Sequence, residues 1–242
     1  PITLPEADVN THLRKMGLTP WYLSNCGEWN LLAMWILKRQ LKQLQPDVVV
    51  AQTHRAFALA RRGVRHVCPL VGVAHNYHKR AKRFARADAV FATTHDLIRF
   101  VAGQNVPEAN IFHIPNMVRC EALPERKARR EIPVIGAMGR LVEKKGFDVF
   151  IDALQLLKER GFRFSAVLGG TGPEKHALKK RAKAAGLEDM LAFPGWVGDK
   201  EAYYTGLDVF CLPSHHEPFG IVLLESFVYG TPVVSTDAEG PR

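Results

Sequence analysis

From residue 47 onward, short β-rich runs alternate with helical stretches, and this alternation restricts the chain more than any other feature. DVVVAQ (47–52), LVGVAH (70–75) and DAVFAT (88–93) read as strands separated by basic, helix-like segments. Strands spaced by helices imply βαβ units and therefore a parallel sheet. Thr94 then precedes a helical DLIRFVAG ending at Gly103, and a loop leads to IFHIPN (111–116). The next segment, CEALPERKARREIP (120–133), is charged, carries proline and lacks apolar periodicity, so it reads as an interdomain linker.

The pattern restarts beyond it. PVIGAMG (133–139) reads as a buried strand, and Phe147, Phe150, Ile151, Leu154 and Leu157 recur at helical spacing. A strand RFSAVLGG (163–170), a basic helix ended by Gly186, a short strand MLAFPG (190–195) and a strand DVFCLPS (208–214) follow. A helix stopped by Gly230 and the strand PVVST (232–236) close the series. The reading is α/β: two Rossmann-like domains at 1–120 and 133–242, joined by a linker at 121–132. No opening strand with a glycine turn precedes the first domain, and Pro241-Arg242 stands where a helix is due. Both domains are therefore expected to be incomplete.

Charge is distributed unevenly. Residues 1–130 hold 20 Lys/Arg against 9 Asp/Glu, whereas residues 131–242 hold 13 against 15. The clusters Lys38/Arg39/Lys42, Arg61/Arg62/Arg65 and Lys79/Arg80/Lys82/Arg83/Arg86 supply much of this excess, a field that suits anionic partners or a solvated basic face. A nucleic acid is disfavoured, because no such binding motif is present and aromatics are not interleaved with the basic clusters. Cys26, Cys68, Cys120 and Cys211 lack zinc spacing and read as reduced thiols of a cytoplasmic protein. The longest apolar run, Leu31 to Leu37, is too short to span a bilayer.

Three motifs carry chemistry. In SHHEPFGIVLLESFVYGTPVVST (214–236), Pro218 and Gly220 break the chain after a strand, placing Glu217 on a loop and starting a helix at Gly220. The free N–H groups of Phe219, Gly220 and Ile221 would present a positive helix end to phosphate. Glu225, further along that helix among apolar neighbours, suits a ribose diol, since a carboxylate accepts two hydrogen bonds. In GRLVEKKGF (139–147), Arg140 and Lys145 form a candidate cationic clamp for a diphosphate. LGGTGPEK (168–175), with Gly170 and Gly172, matches part of a dinucleotide turn, although glycines at such turns are often steric necessities.

Together these stretches resemble the GT-B glycosyltransferases, specifically the retaining family four, many of whose members build lipopolysaccharide, capsule and glycolipid. The likeness runs through VGVAHN, RADAVFATT, IPNMV, GRLVEKKG, GGTGPE, FPGWVGD, HEPFGIVLLE and GTPVVSTDAEGPR. It implies two sheets facing across a cleft and transfer of a hexose from a UDP- or GDP-sugar to a saccharide or lipid-linked acceptor, with no metal or other cofactor. By that resemblance Glu217 contacts donor sugar hydroxyls, Glu225 the ribose, and Arg140 with Lys145 the diphosphate. Val197 is implied beside the base and His75 beside the sugar. A cytoplasmic enzyme, peripheral on an anionic membrane through its basic half, is expected. A GT-B epimerase or phosphorylase-like enzyme, an inactive fragment, and a basic module that binds nucleic acid or an anionic surface stand as alternatives.

Overall fold

The computed structural model describes residues 1–4, 7, 9–23, 30–64, 68–120 and 130–241. The expectations for Cys26, Arg65 and linker positions 121–129 lie outside the described residues. Two compact units are present, Pro1–Pro115 and Asn116–Arg242.

In the first unit, β1 (Ile2–Thr3), α1 (Val9–Lys15) and β2 (Trp21–Tyr22) come first, and β1 pairs with β2 in a separate two-stranded parallel sheet. An opening strand thus exists where none was expected, but it does not join the main sheet. Next come α2 (Leu31–Leu44), β3 (Val49–Ala51), α3 (His54–Val64), β4 (Leu70–Ala74) and a 3-10 helix at Ala81–Arg86. β5 (Ala89–Ala92), α4 (His95–Ala102), a 3-10 turn at Glu108–Asn110 and β6 (Ile111–His113) complete the unit. Strands β3, β4, β5 and β6 lie in that order, all parallel.

Local chemistry explains these boundaries. Asn30 caps α2 by accepting from Ala33 N, and Ala33, Leu37 and Leu41, four residues apart, are its buried stripe. Thr94 caps α4 by accepting from Leu97 N at 3.2 Å. β4 is buried at every position, and the aromatic rings of Phe57 and Phe84 meet edge to face, 5.0 Å apart, over Gly72. A Cβ at Gly72 would stand 2.5 Å from Phe84, so the residue must be small.

The second unit runs β7 (Val134–Met138), a 3-10 turn at Glu143–Lys145, α5 (Phe147–Glu159), β8 (Ser165–Gly169), α6 (Lys175–Ala184) and β9 (Leu191–Gly195). α7 (Lys200–Thr205), β10 (Val209–Leu212), α8 (Ile221–Val228) and β11 (Val233–Ser235) follow. Its sheet is parallel, in the order β11-β10-β7-β8-β9. The chain therefore winds outward from β7 in one direction and then in the other, which makes the β7/β10 seam the topological switch point. Apolar cores cover both faces. Leu141, Phe150, Ile151, Leu154 and Leu168 form one, while Tyr204, Phe210, Leu212 and Leu223 form the other. α7 escaped sequence analysis because six residues carry too little periodicity; Asp199 caps it by accepting from Ala202 N at 2.9 Å.

Each main sheet is stapled at its amino edge by an aspartate. Asp88 N donates to Leu70 O at 3.0 Å while its Oδ2 accepts from Leu70 N at 2.8 Å. Asp208 repeats the ring with Val134, at 2.9 and 2.8 Å, and its carboxylate also meets Arg130 at 3.3 Å. Asp208→Ala leaves the Val134 N–H without its acceptor, a loss of about 1–3 kcal/mol. Urea unfolding is expected to show it, whereas Asp208→Asn, which keeps an accepting oxygen, is expected to lose less.

Candidate functional site

The GRLVEKKGF and SHHEPFG motifs meet at the switch point. β7 and β10 are neighbours, so the loops at their carboxyl ends emerge side by side. Gly146, at φ +62°, lies so close to Pro213 that a Cβ would stand 2.0 Å from its carbonyl oxygen. Only glycine permits that approach and that backbone conformation together. The Lys144 carbonyl then accepts from the amides of His215 and His216, at 3.0 and 3.2 Å, joining the two loops.

This contact brings Lys145 to Glu217, as the sequence predicts for residues of one site. The ammonium donates to Glu217 Oε2, and the Ser214 hydroxyl approaches the same oxygen at 3.4 Å. Glu217 is only 7% exposed, so its charge depends on Lys145 for compensation. Its amide donates to Glu239 Oε2 at 3.2 Å and its carbonyl accepts from Gly240 N at 2.7 Å, so the DAEG segment after β11 braces the loop. Hydrogen bonding from His216, 3.0 Å away, holds the Glu239 carboxyl below the usual carboxylate range. Arg140 is exposed on the same loop as Lys145.

α8 begins immediately behind Glu217. Gly220, at φ +86°, occupies the cap position, and no side chain caps the helix. Phe219 and Ile221 flank it, with Ile221 43% exposed. Glu225 is not a solvated surface charge. Its Oε1 accepts from Lys200 at 2.5 Å and its Oε2 from the Tyr204 hydroxyl at 3.0 Å. Burial, reinforced by Glu225, pushes the Tyr204 hydroxyl far above its ordinary pKa, so this tyrosine remains a donor.

The glycine turn has a steric explanation. A Cβ at Gly170 would lie 1.9 Å from Gly139 O, and one at Gly172 would lie 2.3 Å from Leu141 O. Leu141 N donates to Thr171 O at 2.9 Å, so this turn is laid against the Arg140 loop as its backing. Val197, half-buried after β9, packs on Gly169 at the same edge, where a Cβ would be 2.6 Å from its methyl. His75 belongs to the first unit, at the carboxyl end of β4, and its Nε2 lies 3.0 Å from Gln52 Oε1.

Comparison with known proteins bears on the family and the fold. The model described as "Glycosyl transferases group 1" matches residues 121–242, and that of "Glycosyltransferase Family 4" matches residues 3–122. The chain belongs to the group 1 glycosyl transferases.

Among curated members, it is 32% identical over 212 residues to the lipopolysaccharide core biosynthesis glycosyltransferase LpsE of Rhizobium meliloti, covering 85% of this chain and 60% of LpsE. LpsD of the same organism is 29% identical over 217 residues, covering 87% of this chain and 61% of LpsD. The chain thus spans about three fifths of the length of these relatives. Anabaena HepE, solved with UDP-glucose, superposes with a TM-score of 0.85 at 20% identity over 99% of this chain and 73% of HepE. The apo galactosyltransferase WaaB gives 0.74 at 19%, over 93% of this chain and 68% of WaaB. These likenesses show the GT-B fold.

Lys200, Tyr204, Ser214 and Glu239 were missed by sequence reasoning. Only the DAEG run after a strand hinted at Glu239; the others are set by tertiary contacts. For a family member with this ion pair, Lys145→Met is expected to destabilise by about 3–5 kcal/mol through an uncompensated buried carboxylate. Adding Glu217→Gln is expected to recover most of that loss. A double-mutant cycle by denaturant unfolding checks it, and additive losses would show that the pair is not coupled.

Proposed function

We propose that this chain forms the body of a retaining glycosyltransferase that moves a hexose from a UDP- or GDP-sugar to a saccharide or lipid-linked acceptor in lipopolysaccharide or cell-surface polysaccharide synthesis. The observation that carries this is the Lys145–Glu217 pair at the switch point, in front of the uncapped start of α8. The names of LpsE and LpsD, and the UDP-glucose in HepE, support it.

The chemistry follows from charge. As the bond from the anomeric carbon to the diphosphate breaks, negative charge grows on the leaving oxygens. Lys145, Arg140 and the positive end of α8 are assigned to meet it. The ammonium has three donors, so Lys145 can serve a phosphate while retaining Glu217. Both contacts to the Glu217 carboxylate fall on Oε2, and Oε1 is assigned to a donor hydroxyl. Glu225, held by Lys200 and Tyr204, is assigned to the ribose rather than to a glycosidase-like nucleophile pair. In the front-face route we adopt, the acceptor oxygen attacks from the side the diphosphate leaves, and a phosphate oxygen takes its proton. No metal is assigned.

In the full-length enzyme, Glu217→Ala and Arg140→Ala are each expected to lower kcat by roughly 10²–10³-fold. Transfer is expected to persist in EDTA, and proton NMR of the product is expected to show the donor's anomeric configuration. Unimpaired variants would remove the site assignment; an inverted product would remove the mechanism. A thermal-shift series of UDP-, GDP- and ADP-sugars identifies the base.

The anionic membrane expected as a partner has its own support in α2. Leu31, Leu32 and Trp35 are 76%, 65% and 58% exposed, and they share one stripe with Lys38, Arg39 and Lys42. The Arg39 guanidinium lies 5.8 Å from the Trp35 ring centroid. An apolar patch with an aromatic and a basic row suits an anionic bilayer surface. Among the described residues, no helix is long and apolar enough to cross a membrane. In liposome flotation the protein is expected to favour anionic vesicles, and Trp35→Ser is expected to weaken that. Equal recovery on neutral vesicles would dismiss the idea.

A further inference from the structure

The short helix α7 has a task that packing alone does not explain. Lys200 and Tyr204 stand four residues apart on it, a spacing that puts both side chains on one face. They meet a single carboxylate. Lys200 Nζ donates to Glu225 Oε1 at 2.5 Å and the Tyr204 hydroxyl to Oε2 at 3.0 Å, so each oxygen has one partner from the same helix. The Glu225 side chain stays 12% exposed and that of Lys200 50%, so the clamp grips the carboxylate without sealing it.

The two jaws differ in stiffness. Tyr204 is fully buried, its ring stacked on Tyr229 at 5.7 Å and edge-on to Phe210 at 5.3 Å, and its carbonyl accepts from the Thr231 hydroxyl at 2.8 Å. The phenol oxygen is therefore a fixed point for Oε2. Lys200 leaves from the turn that Asp199 caps, and its long chain brings the compensating charge to Oε1. Together they set the plane of the carboxylate. Ionised carboxylates accept about four hydrogen bonds, two at each oxygen. Among the described residues Lys200 and Tyr204 take one on each, which leaves one on each, side by side.

We infer that Lys200 and Tyr204 are positioning residues that make the donor site select ribonucleotides over 2′-deoxyribonucleotides, by holding Glu225 with one open acceptor for each hydroxyl of a vicinal diol. The inference rests on the glycosyltransferase reading and on its assignment of Glu225 to the ribose. A 2′-deoxyribose serves only one of the two acceptors, and the other oxygen is cut off from water and left short of a partner. An unclamped carboxylate turns toward whichever hydroxyl remains, and the penalty shrinks.

The test is a calorimetric titration of the full-length protein with UDP and GDP and with their 2′-deoxy counterparts. The preferred ribonucleotide is expected to bind roughly 10- to 100-fold more tightly than its deoxy form. Lys200→Met and Tyr204→Phe keep most of the side-chain bulk. Each is expected to weaken the ribonucleotide while hardly moving the deoxynucleotide, so that the ratio falls to about threefold or less. Lys200→Arg, which keeps the charge, is expected to restore much of it. Equal weakening of both nucleotides in the variants, or loss of all binding, would show that the pair only holds the fold and would overturn the inference. A wild-type protein that binds UDP or GDP without distinguishing the deoxy form would also overturn it and leave the donor site standing. Binding of neither ribonucleotide by the wild type would sink the donor reading, and this inference with it.

Discussion

The close approach of Gly146 to the Pro213 carbonyl governs the second unit. Two loops from neighbouring parallel strands can share one site only if one backbone lies directly on the other, and a side chain at position 146 forbids it. Once they touch, the Lys144 carbonyl collects two amides and Lys145 is delivered to a carboxylate that would otherwise be buried alone. The ion pair is a consequence of the contact and also its lock. Parting the loops would strand Glu217, so the charges enforce the geometry that brought them together.

Much of this was readable in the sequence for definite reasons. Strands such as LVGVA and VIGAM are continuous apolar runs, and Gly186 and Gly230 end their helices, so the alternation and the edge carrying each motif followed directly. Glu217, Lys145 and Gly220 were legible because proline and glycine punctuate their loops at strand ends. The first 46 residues were not: β1 and β2 have two residues each, and α2 exposes Leu31, Leu32 and Trp35, which obscures its buried stripe. Glu225 showed only half its environment, because the Lys200 and Tyr204 partners come from a six-residue helix. Gly170 and Gly172 resemble ligand-binding glycines in sequence, yet their packing against Gly139 and Leu141 accounts for both.

The two halves of the chain divide their charge unevenly, the excess of Lys and Arg lying in residues 1–130. In the second, each carboxylate of the site is matched within hydrogen-bond reach: Glu217 by Lys145, Glu225 by Lys200, Glu239 by His216. Such matching makes a rigid, pre-set surface whose net field is small. In the first unit, the His54 ring lies against those of His78 and Phe84 at the carboxyl edge, 4.4 and 4.7 Å between centroids.

The aspartate rings at Leu70 and Val134 bear on how such a scaffold diversifies. Both fasten a pair of central strands from the end remote from the chemistry, so strand alignment owes nothing to the loops at the other end. Insertions or exchanges in those loops can retune what is recognised without any slip in pairing, which would turn core residues outward. The fold keeps its memory of register at one rim and is free to experiment at the other.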